Sequence, residues 1–120
     1  MTEGKIVVLA VRQLDERQAV SQLLEDLQME VHHAESGWDA IHLLEDQPCD
    51  FLVMDIQLSD MHAWKMLGTL KESVNLDTLP TIVIMDIDEQ AKVPMSNVTT
   101  VIRPVAIARL RHIILDMFST

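Results

Sequence analysis

Apolar and polar positions come in blocks along this chain, and the period inside each block switches between that of a strand and that of a helix. Residues 5–11 (KIVVLAV) form a mostly apolar run of strand length, which predicts a first strand. From residue 14 to residue 27 the period changes: Val20, Leu23, Leu24 and Leu27 fall at i, i+3, i+4 and i+7, one face of a helix. Asp15, Glu16, Arg17, Glu25 and Asp26 fill its other faces. Met29, Val31 and His33 then alternate with Glu30 and His32, the period of a second strand. Ser36 is a candidate N-cap in the turn that opens a helix over residues 38–45, with Ile41 and Leu44 directed inward. Residues 47–50, with Pro48 among them, end that helix.

The next block is the centre of the pattern. Phe51, Leu52, Val53 and Met54 are four apolar residues in a row, which suits a strand covered on both faces and closed by the carboxylate of Asp55. A loop over 57–60 leads to Ala63, Met66, Leu67 and Leu70, again at helical spacing. Leu79-Pro80 introduces a buried strand at 81–85, ending on Met85. Residues 86–97 are polar, are interrupted by Pro94, and leave room for a short helix at most. The β-branched content of 99–103 predicts a fifth strand, Pro104 follows it, and Ile107, Leu110, Ile114 and Met117 mark the face of a last helix. Strand–helix alternation repeated five times, with one helix eroded, calls for a parallel sheet with helices on both faces. Asp55 then lies at the carboxyl edge of that sheet, where ligands bind in open α/β folds. The plainer alternative is that Asp55 only closes a strand and accepts N–H groups of the loop.

Composition narrows the field. The 120 residues suit one domain with one core. A formal net charge of -10 argues against a nucleic-acid-binding surface and against an anionic membrane surface. No apolar run approaches the roughly 18 residues of a membrane span. The first five residues lack a signal-peptide layout, so a cytoplasmic location is expected, and the single cysteine, Cys49, excludes an internal disulfide. Cys49 has no basic neighbour and is expected to be inert. His32, His33, His42, His62 and His112 show no metal-binding spacing. No nucleophile elbow, P-loop or dinucleotide fingerprint occurs. Met61, Met66 and Trp64 read as core of the third helix or as an apolar contact surface.

Several landmarks in register give the chain a family likeness: Lys5-Ile6-Val7-Val8-Leu9, Ala34-Glu35-Ser36-Gly37 with Ala40, Phe51 to Asp55 with Ile56-Gln57-Leu58 and Met61, Leu79-Pro80, and Val101-Ile102-Arg103-Pro104. The chain resembles the receiver domains of two-component response regulators, of the chemotaxis-regulator type, over essentially its whole length. The resemblance implies one flavodoxin-like domain over residues 1–120, with a five-stranded parallel sheet in the order 2-1-3-4-5, helices on both faces and a shortened fourth helix. It implies no enzyme in the usual sense. It implies a phosphorelay signalling module whose Asp55 is the phosphoacceptor, with a sensor kinase or an effector domain as partner. The output surface would include Arg109, Arg111 and His112, and the last helix permits a homodimer without requiring one.

The same resemblance exposes departures at functional positions. The acidic pair that holds Mg²⁺ in the family maps to Ala10 and Val11, which cannot ligate a hard cation; the backbone carbonyl ligand maps to Gln57. The hydroxyl that bonds the phosphoryl oxygen maps to Met85, and the switch aromatic to Thr100. The lysine maps to Arg103, a planar fork instead of a mobile point charge, and the Arg103–Pro104 bond is a candidate for cis. The expectation is an atypical, or pseudo-, receiver in which Arg103 pairs directly with Asp55 and Mg²⁺ enters only if the domain is phosphorylation-competent. The alternative is a working phosphoacceptor with an unusual pocket. Asp60, Asp86 and Asp88 are weak substitutes for the lost metal ligands, and Arg12 at the pocket mouth favours an anion over a cation.

Overall fold

The five expected strands are present and all run parallel. The computed structural model describes residues 1–87 and 97–119. β1 (Ile6–Ala10), β2 (Glu30–His33), β3 (Phe51–Asp55), β4 (Thr81–Met85) and β5 (Val98–Ile102) form one sheet in the order β2-β1-β3-β4-β5. Between and after them lie α1 (Leu14–Asp26), α2 (Gly37–Asp46), α3 (Ala63–Leu70) and α4 (Ile107–Met117), with a short 3-10 turn at Leu76–Thr78 that the sequence did not signal. β4 matches its expected limits, and β5 begins and ends one residue earlier than the Thr-rich run suggested. The short helix expected at most between β4 and β5, and with it the shortening of the family's fourth helix, falls on residues 88–96, outside the described residues.

Side chains alternate across a strand, so each strand supplies two cores. Val8 and Ala10 of β1, Leu52 and Met54 of β3, and Val83 and Met85 of β4 face α2 and α3, where Ile41, Leu44, Met66, Leu67 and Leu70 meet them. Val7 and Leu9, Phe51 and Val53, and Ile82 and Ile84 face the other way, onto Val20, Leu23 and Leu24 of α1 and Leu110 and Ile114 of α4. Phe51 also meets Phe118 edge to face, with ring centroids 5.3 Å apart. Fully burying one such side chain contributes about 1.5–3 kcal/mol, so both faces resist any slip of register.

One helix end sets the geometry of the carboxyl edge, and another closes α1 at the opposite, amino edge. Ser36 caps α2 as expected, its hydroxyl accepting from the N–H of Asp39 at 3.0 Å. Asp60 takes the two remaining first-turn donors, Gly37 N–H at 2.7 Å and Trp38 N–H at 3.0 Å. These bonds tie the loop after β3 to α2. The close approach depends on Gly37, because a Cβ there would lie 2.5 Å from Cγ of Met61 and 3.0 Å from Oδ1 of Asp60. At its C-terminus α1 ends in a Schellman turn, with Met29 N–H on Leu24 O at 3.0 Å and Gln28 N–H on Glu25 O at 2.8 Å. Gln28 takes the left-handed position there, φ 63°.

Candidate functional site

β3 presents Asp55 as the sequence pattern requires. Its backbone stays in the ladder, opposite Ile84 of β4, and the carboxylate stands at the strand's last position. Asp55 as a whole is 4 % exposed, which is unusual for an acid without a partner. The alternation of β3 directs it to the side of Phe51 and Val53, toward α1 and the end of β5.

The partner is Arg103, the first residue after β5. Its backbone N–H is held by Met85 O at 2.9 Å, which fixes the stem beside the end of β4. From there Nη2 donates to Oδ1 of Asp55 at 2.6 Å, and the expected ion pair is formed. The same guanidinium closes a two-pronged contact with Glu16 in the first turn of α1, Nη2 to Oε1 at 2.8 Å and Nε to Oε2 at 3.2 Å. Nη1 reaches Oδ1 of Asp86 at 3.3 Å. The side chains of Arg103, Glu16 and Asp55 are 15 %, 10 % and 6 % exposed, so water screens this cluster poorly, whereas Asp86 is open to solvent. Burial opposes the charge on Arg103, but the hydrogen bonds and attraction of Glu16 and Asp55 more than offset it and raise its pKa above the ordinary arginine value. The second oxygen of Asp55 has a weaker partner, the backbone N–H of Arg12 at 3.3 Å.

The other expected positions fall around this pair. Ala10 ends β1, one residue short of the strand limit expected from the sequence, and Val11 follows it; both are buried and apolar, on the α2/α3 and α1/α4 sides respectively. Met85 turns its thioether into the α2/α3 core. Thr100 lies in the middle of β5, opposite Val83, half-buried. Gln57 is exposed, and its side-chain amide donates to Leu58 O at 3.0 Å. The Arg103–Pro104 bond is cis. Arg12, Gln13, Asp55, Gln57, Asp86 and Arg103 line a cavity of about 360 Å³ above the strand ends. Of the substitute acids, Asp86 joins the cluster through Arg103, Asp60 is committed to capping α2, and Asp88 lies outside the described residues. Arg109, Arg111 and His112 are exposed on α4.

Sequence reasoning missed Glu16. Helical periodicity put it on a polar face of α1, and nothing in that pattern distinguished it from Asp15. The available signal was positional: an acid in the first turn of the helix that follows β1 stands at the carboxyl edge of the sheet, within reach of a cation brought there by β5.

Comparison with known proteins places this geometry. Solved structures of the same fold include a response regulator receiver domain protein from Bacillus halodurans, 20 % identical, with a TM-score of 0.83, covering 98 % of this chain and 100 % of that one. Another is the receiver domain of a sensor histidine kinase from Pseudomonas aeruginosa, which carries a magnesium ion in its active-site cleft. It is 19 % identical, with a TM-score of 0.82 and coverage of 94 % and 96 %. A third belongs to a streptococcal family of redox sensors described as evolved from two-component response regulators; it is 20 % identical, with a TM-score of 0.83, covering 96 % of this chain and 51 % of that one. No curated protein matches the chain. The model of the response regulator receiver domain matches residues 13–114, beginning just beyond Ala10 and Val11. The chain therefore belongs to the response regulator receiver domains of two-component signalling.

Proposed function

We propose that this receiver domain works as a protein-interaction module whose Asp55 is neutralised by Arg103 instead of by a metal ion and a phosphoryl group. The observation that carries this reading is the 2.6 Å contact between Arg103 Nη2 and Asp55 Oδ1, reinforced by the paired contact of the same guanidinium with Glu16. Receiver domains act on histidine kinases and effector domains, generally as signalling modules without an enzymatic output of their own. In this chain the contact surface would stay in one state, because the charge that phosphorylation normally redistributes is already compensated inside the domain.

The residues at the pocket do not fit a magnesium ion. Mg²⁺ takes oxygen ligands in near-octahedral array at about 2.0–2.1 Å. The side chains at the acidic-pair positions, Ala10 and Val11, offer no oxygen, and one of the two carboxylate oxygens of Asp55 is occupied by a guanidinium. Among the described residues no group of three His, Cys, Asp or Glu side chains is arranged to hold a metal. Asp60, the nearest acid of the following loop, is spent on α2. The streptococcal redox sensors named above supply a precedent for a receiver fold turned to another signal.

A second reading has one observation in its favour. The Asp55 oxygen that Arg103 leaves open meets only the Arg12 N–H, at 3.3 Å, and faces a cavity large enough for a phosphoryl group. A phosphoacceptor with an unusual pocket would use that oxygen. The two readings separate in a Mg²⁺ titration followed by the backbone amide signals of Arg12, Asp55 and Gln57. The interaction-module reading expects no saturable shift in these signals; a saturable shift that Asp55→Asn abolishes would favour the phosphoacceptor.

A further inference from the structure

The loss of the acidic pair changes more than the cation site. On the other side of Arg12 from Asp55 lies a separate cavity of about 220 Å³, at the carboxyl ends of β2 and β1 and against the loop after β3. It is lined by Ala10, Val11, Ala34 and Leu58 and by Arg12, Arg17, Glu35 and Ser59. Ala10 and Val11 line it at the positions where the family pattern puts two carboxylates. Two arginines stand at its wall, and among the described residues neither guanidinium meets a carboxylate at ion-pair distance. That is unusual in a chain of net charge -10, where acids outnumber lysine and arginine by 19 to 9. Arg103, by contrast, has three acidic neighbours. The site also lies beside the point where the strand order turns from β1 to β3, the position at which open α/β sheets bind ligands.

We infer that this cavity is an oxyanion site of phosphate class, held by the guanidiniums of Arg12 and Arg17. Guanidinium forks match phosphate oxygens in pairs, and two of them side by side double the attraction for one anion. Ser59 adds a hydroxyl at the rim, which in this structure donates to Glu35 O at 3.4 Å and is free to rotate to an anion. Glu35 is the one opposing charge on the wall, and it gives the site a signature: removing that charge strengthens binding. The inference does not need Asp55 to be phosphorylated or unphosphorylated. It inverts the sign of the ligand expected at the end of β1, from a divalent cation to an anion.

The test is a titration of the full chain with inorganic phosphate in the presence of EDTA, at fixed ionic strength, followed by amide signals. Without metal or a high-energy donor, inorganic phosphate does not phosphorylate Asp55, so the result is independent of the phosphoacceptor question. The expected result is a saturable shift at Val11, Arg12, Glu35 and Ser59. Arg17→Gln and Arg12→Gln should each weaken the binding about tenfold or more, the loss of a charge-assisted hydrogen bond. Glu35→Gln should tighten it, and Lys71→Gln, the same charge change at the exposed end of α3, should leave it unchanged. Circular dichroism of each variant establishes that it is folded. The same titration with phosphoserine distinguishes a free ion from a phosphate carried on a partner: tighter binding of the monoester points to the partner. Absence of saturation, or equal weakening by Lys71→Gln and Arg17→Gln, overturns the inference and leaves only diffuse attraction of anions.

Discussion

Replacing Arg103 with alanine removes the single cation from between Glu16 and Asp55, whose side chains are only 10 % and 6 % exposed. Breaking a buried pair by deleting one partner costs about 3–5 kcal/mol, because the charge left behind has neither water nor a counter-ion. The cluster sits at the rim of the sheet and the guanidinium is 15 % exposed, so water can enter after truncation. The lower end of that range, about 3 kcal/mol, is therefore expected. For a domain of this size that loss lowers Tm by roughly 12 °C. Urea and thermal unfolding of wild type, Arg103→Ala, Asp55→Asn and the double variant give a cycle in which Arg103 and Asp55 should couple by at least about 1 kcal/mol. The pH dependence has a definite sign. A group whose folded pKa is raised contributes stability that is complete below its unfolded pKa and is lost only as the pH rises through the folded one. For Arg103 both lie above the working range, so the gap between wild type and Arg103→Ala should stay constant from about pH 7 to about pH 10. Arg103→Lys keeps a charge but not the fork and should recover only part of the loss. A Tm for Arg103→Ala within about 2 °C of wild type would refute the reasoning, since that is the effect of an ordinary surface substitution.

Other consequences follow from the two edges of the sheet. Burial opposes the charge of Asp60, but the N–H groups of Trp38 and Gly37 outweigh it and lower the pKa, so its contribution is present above the unfolded pKa and is lost as the pH falls through the folded one. Asp60→Ala should therefore cost about 0.5–1 kcal/mol at pH 7, after allowance for solvent screening, and the deficit should shrink as the melts are taken to progressively more acidic pH. Gly37→Ala drives a Cβ onto Met61 and should cost about 1–3 kcal/mol in urea unfolding, with the amide signals of the loop after β3 displaced. Gln28→Gly relieves the left-handed φ of 63° at the end of α1 and should stabilise by about 0.5–1 kcal/mol; no gain in Tm would show that the Schellman turn carries no strain there.

The fold was legible because its information is local. Apolar runs of strand length and helical spacing placed β3, β4, α3 and α4 within a residue or two, and Ser36 announced the start of α2. The pairing of Arg103 with Asp55 was legible too, since Asp55 ends β3 and Arg103 directly follows β5 at the same edge of a parallel sheet. Glu16 was not, because its role depends on the rotation of α1 about its own axis and on a partner 87 residues away in sequence. Asp60 read as a loose acid near a metal site for a related reason. Its partners are backbone N–H groups 22 and 23 residues earlier, and main-chain donors leave no trace in a pattern of side chains.

The central claim is that Asp55 is compensated from within by Arg103. The most direct test is exposure of wild type and Asp55→Asn to acetyl phosphate across a range of Mg²⁺ concentrations, read by intact mass. The account predicts no addition to the wild type while circular dichroism shows the fold intact. A gain of one phosphoryl group in the wild type and none in Asp55→Asn would contradict it and return this domain to the phosphorylated switches of its family.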